Sequence, residues 1–264
     1  MSAYEYVILD PTGNLTELVT DPVNPEDEKS LTRELLKQSE QVAYLEAPSM
    51  PGAVAAIRLM GGEFCGNAAM AAAAWLVRNE LKPGQEMSLL LEVSGAADPV
   101  RCTARRSRDG YEGSVEMPGI PEIREETVDG IHITAVRTEG IVHLICEDRT
   151  FAPEEAEILI RKAAERLPDE AVGFLQWNSE TRYMLPLVFV RGSGSLVWEH
   201  GCGSGSAAIG ALEALKAGNG AFTIRVKQPG GTILASAEAE NGTVRSVSIT
   251  GRVQLGKESV IEIS

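Results

Sequence analysis

The sequence predicts an α+β protein of two pseudo-symmetric domains, each a mixed or antiparallel β-sheet rolled around a central α-helix. Three observations predict it. Short apolar runs joined by hairpin-like turns outnumber the helical stretches, and few links read as parallel strand–helix–strand crossovers, which disfavours a doubly wound sheet. A motif occurs twice: Gly61-Gly62-Glu63-Phe64-Cys65-Gly66-Asn67 opens an alanine-rich run, and Val197-Trp198-Glu199-His200-Gly201-Cys202-Gly203-Ser204-Gly205 opens another run of small residues. The segments downstream of the two motifs also match, residues 88–95 resembling 222–230 and residues 113–119 resembling 245–251. A weak repeat at about half the chain implies two like domains, each presenting one cysteine at one helix start.

Taken in order, residues 6–9 read as a strand and Asp10-Pro11-Thr12-Gly13-Asn14 as a turn. Residues 15–19 form a second apolar stretch, and residues 21–29, with two prolines, a polar loop. Leu31, Leu35 and Leu36 share one side of a helix over residues 30–39. Residues 41–45 and 53–59 are strands joined through 48–52. The helix after Cys65 runs to about residue 79, because Lys82-Pro83-Gly84-Gln85 is a stop. Three strands come next. Pro118 and Pro121 then mark a boundary between an N-terminal domain, 1–118, rejoined by the tail 253–264, and a second domain, 119–252. In the second half, strands at 130–138 and 140–146 precede a helix over 152–167, with Pro153 in its first turn. Strands at 172–177 and 182–190 lead to the second cysteine motif, its helix and the C-terminal strands.

The net charge of −14, from 24 basic and 38 acidic side chains, argues against a nucleic-acid or anionic-membrane partner. No apolar run has the length of a membrane span, and the N-terminus lacks a signal pattern, so a cytoplasmic protein is expected. The four cysteines form no Cys-x-x-Cys pair, which leaves little basis for a disulfide framework or a zinc site. Cys102 and Cys146 sit in strand-like runs and read as small core residues.

Cys65 and Cys202 differ from these. A helix N-terminus favours a thiolate, so both thiols are expected to ionise more readily than usual. Two such groups on opposite sides of a carbon suit stereochemical inversion: one thiolate removes a proton and the other thiol returns one to the far side. Negative charge spreading onto an amino acid's carboxylate would meet the free N–H groups of the helix starts. Gly66, Gly203 and Gly205 allow close approach, and Asn67 and Ser204 add donors. A lone Cys-Gly before a helix is more often structural, and matched motifs in a duplicated chain shift the balance to chemistry. A pyridoxal-phosphate enzyme needs a Schiff-base lysine, and neither motif has one, so no cofactor and no metal are expected. A zinc site from Cys65, Cys202, His200 and His143 has no supporting spacing, and each histidine taken singly reads as structural or surface.

On these residues the chain resembles the diaminopimelate epimerase superfamily of cofactor-independent racemases and epimerases, and its paired motifs look like theirs. Asn14 matches that superfamily's substrate-contacting asparagine, and Gln41 falls at its glutamine. Met60 to Ala68, Glu40-Gln41-Val42, Gln228-Pro229-Gly230-Gly231 and Gly251-Arg252-Val253 look most like the histidine racemases of staphylopine-type opine metallophore biosynthesis. The resemblance implies D-histidine production, with Glu40 near the substrate and a small-molecule amino acid as ligand. Superfamily members are commonly dimers, so a homodimer is an expectation of the resemblance alone. Glu199-His200 stands where diaminopimelate epimerase has Glu-Arg, which implies a different substrate side chain. The implied site set is Asn14, Glu40, Gln41, Gly66, Asn67, Glu199, His200, Gly203 and Ser204 around Cys65 and Cys202. The alternatives are another amino acid, diaminopimelate included, or a non-catalytic amino-acid binder of the same fold.

Overall fold

The computed structural model describes residues 1–119, 122–138, 140–192 and 194–263. The first half holds β1 (Ser2–Pro11), β2 (Thr16–Val19), α1 (Pro25–Leu35), β3 (Gln41–Glu46), β4 (Ala55–Leu59), α2 (Gly66–Leu76), β5 (Glu86–Val93), β6 (Val100–Ser107) and β7 (Gly110–Glu116). The second holds β8 (Glu122–Val128), β9 (Ile131–Thr138), β10 (Ile141–Glu147), α3 (Pro153–Arg166), β11 (Ala171–Asn178), β12 (Tyr183–Val190), β13 (Ser195–Trp198), α4 (Gly203–Ala217), β14 (Gly220–Gln228) and β15 (Gly231–Glu240). The last strand, β16 (Thr243–Ile263), ends the chain. Two compact units result, Met1–Glu116 with Thr250–Ser264, and Met117–Ile249. Pro121, read above as a boundary marker, lies outside the described residues.

In the first unit the strands lie side by side in sequence order from β1 to β7, and the tail of β16 pairs antiparallel with β1. In the second the order is β8-β9-β10-β11-β12-β14-β15, with β13 on β12. Most pairs are antiparallel. Among the described residues four are parallel, β2–β3, β4–β5, β10–β11 and β12–β14. Each spans a helix. The sheets are therefore mixed, as expected, but every helix is a crossover, where the sequence reading found few. A parallel pair needs a long connection, and these helices supply it.

Alanine and glycine dominate α2 and α4, and both helices are apolar nearly all round. Such a helix must be central. Residues 66–74 of α2 are all buried, as are 205–212 of α4. Helix α2 packs on β1, β4, β5, β6 and β7, and α4 on β9, β10, β14 and β15, so each sheet curves around its own helix. The opposite faces are covered by α1 and α3. Val42 and Tyr44 of β3 meet Leu31 and Leu35 of α1, whereas Gln41 points to the other face by the two-residue alternation of a strand. Val142, Leu144 and Cys146 of β10 likewise meet Ala156, Leu159 and Ile160 of α3. Cys102 and Cys146 are core residues, and burial pushes both thiols up, Cys102 to about 12.

Helix α1 begins earlier than the sequence reading placed it. Pro25 occupies the first turn, where its missing N–H costs nothing, and Glu26, Asp27 and Glu28 face the positive end of the dipole. Pro25, taken for part of a loop, thus starts a helix, whereas Pro22 stays in the loop.

Glu17 of β2 is fully buried, between Ile8 of β1 and Val42 of β3. Burial, opposed by the Gln38 side chain, raises its carboxyl to about 7. The folded chain therefore holds a proton here that the unfolded chain releases near 4.5. Stability is full below that lower value and is lost as pH rises through about 7, by roughly 1–3 kcal/mol. Glu17→Gln should remove this dependence, read as urea midpoints at pH 5.5 and 8 that differ less than in the unaltered protein.

Candidate active site

In the first unit the site is built on the start of α2. Cys65 is its N-cap, with extended backbone (φ −132°, ψ 109°), and its sulfur accepts the Ala68 N–H at 3.5 Å. Gly66 and Asn67 form the first helical turn and are buried. Asn14 is delivered by the tight turn after β1, where Thr12 and Gly13 are both left-handed (φ 58° and 87°) and Gly13 N–H bonds Asp10 Oδ1 at 2.6 Å. The Asn14 side chain gathers three others. Its Oδ1 accepts from Gln41 Nε2 at 2.7 Å and Asn67 Nδ2 at 3.2 Å, and its Nδ2 donates to Glu40 Oε2 at 2.8 Å. Gln41 Nε2 also donates to Thr16 Oγ1 at 2.6 Å. Asn14, Glu40, Gln41 and Asn67 are therefore one hydrogen-bonded array beside the α2 N-terminus, and Asn14 is more than a turn residue.

In the second unit the same geometry recurs at α4. Cys202 is the N-cap (φ −102°, ψ 106°), and its sulfur accepts the Gly205 N–H at 3.3 Å. Gly203 starts the helix, and Ser204 Oγ lies 3.6 Å from Cys202 Sγ. Glu199 comes directly after β13 and its N–H bonds Pro186 O at 3.0 Å. The His200 side chain is exposed and its carbonyl accepts the Gly230 N–H at 2.7 Å. Among the described residues no group of three or more His, Cys, Asp or Glu is placed to hold a metal ion.

One expectation is corrected. The Cys202 thiol does not ionise more readily than usual. Burial pushes it well up, the Glu199 carboxylate adds to this by its charge and a hydrogen bond, and the Ser204 and Gly205 bonds only partly oppose them. The helix start supplies one favourable contribution, and desolvation of a thiol that is 2% exposed outweighs it.

Two residues named in the sequence reading, though not placed at the site, contact the α4 start. His143 of β10 is fully buried, and its Nε2 lies 3.0 Å from Ser204 Oγ. Burial drives its ring down to about 3, so it is neutral at physiological pH. Gly173, opposite it on β11, leaves room for the ring, since a Cβ there would stand 2.2 Å from His143 Nδ1. Gln228, at the end of β14, accepts the Cys202 N–H at 2.6 Å. No local spacing signals either contact, because β10 and β14 reach α4 through the fold.

The model of the "Histidine racemase CntK N-terminal domain" family matches residues 3–260. The chain belongs to that family. It is accordingly an isomerase, an amino-acid racemase. It is 28% identical over 261 residues to a histidine racemase of Staphylococcus aureus, covering 94% of each chain. Among solved structures it is similar to a Bacillus anthracis phenazine biosynthesis protein of the PhzF family, at a TM-score of 0.75, 12% identity and full coverage of both chains. It is also similar to a hydroxyproline epimerase from Agrobacterium vitis, at a TM-score of 0.71 and 14% identity over 98% of this chain and 92% of that one. These likenesses show the fold. Among the described residues no helix is long and apolar enough to cross a membrane.

Glu199→Gln removes the charge that holds the Cys202 thiol up, so its thiolate fraction should rise. Alkylation of the Cys202 peptide by iodoacetamide at pH 8, read by mass spectrometry, should be faster than in the unaltered protein.

Proposed function

We propose that this chain interconverts L- and D-histidine without a cofactor, with Cys65 and Cys202 as the two bases. One observation carries the reading: two cysteines, one per unit, cap buried helices through the same sulfur–N–H contact. In one direction a thiolate takes the α-proton, the C–H electron pair passes onto the carboxylate as an enediolate, and the other thiol protonates the opposite face. The second thiol then becomes the thiolate, and the reverse reaction uses it. Because burial and Glu199 hold Cys202 as a neutral thiol, it suits the resting proton donor. The N–H groups and dipoles at the starts of α2 and α4 suit the developing carboxylate charge, with Gly66, Asn67, Gly203 and Ser204 beside them.

Asn14 and Gln41 supply polar contacts on the first unit, Glu40 suits a cationic group of the substrate, and Glu199 and His200 complete the binding set. The family match and the relatives' names support histidine as that substrate. The finer reading is a cytoplasmic enzyme, working as a homodimer on a free amino acid, whose D-histidine feeds opine metallophore assembly.

A panel of natural L-amino acids, incubated without added cofactor and separated by chiral chromatography, tests this. L-Histidine should yield D-histidine fastest. Cys65→Ser and Cys202→Ser should each lower turnover by at least about 10²–10⁴-fold. Near-normal turnover in either variant sinks the two-base assignment. A panel with no inversion and no α-proton exchange in D2O points instead to a binder.

A further inference from the structure

Cys202 is held at both of its backbone polar groups by a closed ring of buried hydrogen bonds. The Gln228 side-chain carbonyl accepts the Cys202 N–H at 2.6 Å. The Gln228 amide donates to Ser206 Oγ at 2.8 Å, and the Ser206 hydroxyl donates to the Cys202 carbonyl at 2.8 Å. Gln228 is 4% exposed and Ser206 is fully buried. The turn that carries Gln228 also grips the preceding residues, since Gly230 N–H bonds the His200 carbonyl at 2.7 Å. Gln228 closes the β14–β15 hairpin opposite Gly231. Neither Gln228 nor Ser206 is hydrogen-bonded to the Cys202 sulfur.

We infer that Gln228 is a positioning residue for inversion: through this ring, completed by Ser206, it fixes the backbone of Cys202 and so the direction in which its sulfur points. The physical reason is that the Cys202 N–H lies at the N-cap, where no helical carbonyl can reach it. Without Gln228 a buried donor is left unsatisfied, and the segment must shift to find an acceptor. A reacting group displaced by about an ångström loses on the order of 10²-fold in rate. Because the ring touches only one of the two cysteines, its loss slows one proton transfer and leaves the other unchanged.

The inference rests on the two-cysteine reading, and the experiment separates them. Racemisation is measured from L-histidine and from D-histidine, or from the amino acid the panel selects, with α-protiated and α-deuterated substrate. The proteins are the unaltered enzyme, Gln228→Leu, Ser206→Ala and Cys202→Ser. For Gln228→Leu the expected result is a fall in kcat of about 10–100-fold, with KM within about threefold. The deuterium isotope effects on kcat/KM should diverge: larger for the enantiomer whose α-proton Cys202 removes, smaller for the other. Ser206→Ala should move all of these the same way, by less.

Activity within about twofold of the unaltered enzyme overturns the inference, and so does a loss in which both isotope effects move alike, which marks a general packing fault. Should circular dichroism show Gln228→Leu unfolded, Ser206→Ala decides by the same criteria. If Cys202→Ser keeps its turnover, the two-cysteine reading falls and this inference with it. If Cys202→Ser is inactive and Gln228→Leu is normal, the positioning role alone falls.

Discussion

Each unit's candidate site depends on the same small interaction, a cysteine sulfur accepting the N–H three residues on, at the first turn of a buried helix. Four N–H groups at any helix start lack internal partners. Using a thiol as the cap satisfies one of them and brings the sulfur to the positive end of the dipole. The other N–H groups of a first turn have no helical carbonyl to bond, and such groups suit an anion. This works only if the helix start can be approached, and the glycines that open both motifs remove the side chains that would block it. The rest of each unit, with its sheet curved over an alanine-rich helix, serves to hold that first turn in place.

The two copies are not chemically equal. Cys65 is half-buried at the helix start beside the array of Asn14, Gln41, Asn67 and Glu40, whereas Cys202 is buried beside the Glu199 carboxylate and a neutral histidine–serine pair. On the proposed mechanism the asymmetry suits two bases that begin each turnover in opposite protonation states. A repeat duplicates the scaffold, and the side chains around it then diverge.

How much of this was legible varied with range. The cysteine-capped helices were plain in the sequence, because a cysteine–glycine turn running into small residues is a local signal. So were the core roles of Cys102 and Cys146 and the mixed character of the sheet. Asn14 was found by resemblance, while its turn chemistry alone spoke for a structural part. The start of α1 was missed because Pro25 and three acidic residues read equally as a loop or as a first helical turn. β8 was missed because four of its seven residues are charged and its face is exposed. The Cys202 thiol was misjudged because desolvation depends on what the fold stacks over the sulfur. His143 reaches α4 from β10, distant in sequence, and Gln228 returns to it from the far end of the strand that follows, so only the assembled fold brings them together.

The tail of β16 has a consequence for how the molecule folds. Residues 253–263 complete the sheet of the first unit by pairing with β1, at the opposite end of the chain. The contact joins residues more than 240 positions apart in sequence. Closing so long a loop is slow, and until it closes the β1 edge is bare and invites other chains to pair with it. Aggregation during refolding is thus set by how soon this one strand finds its neighbour.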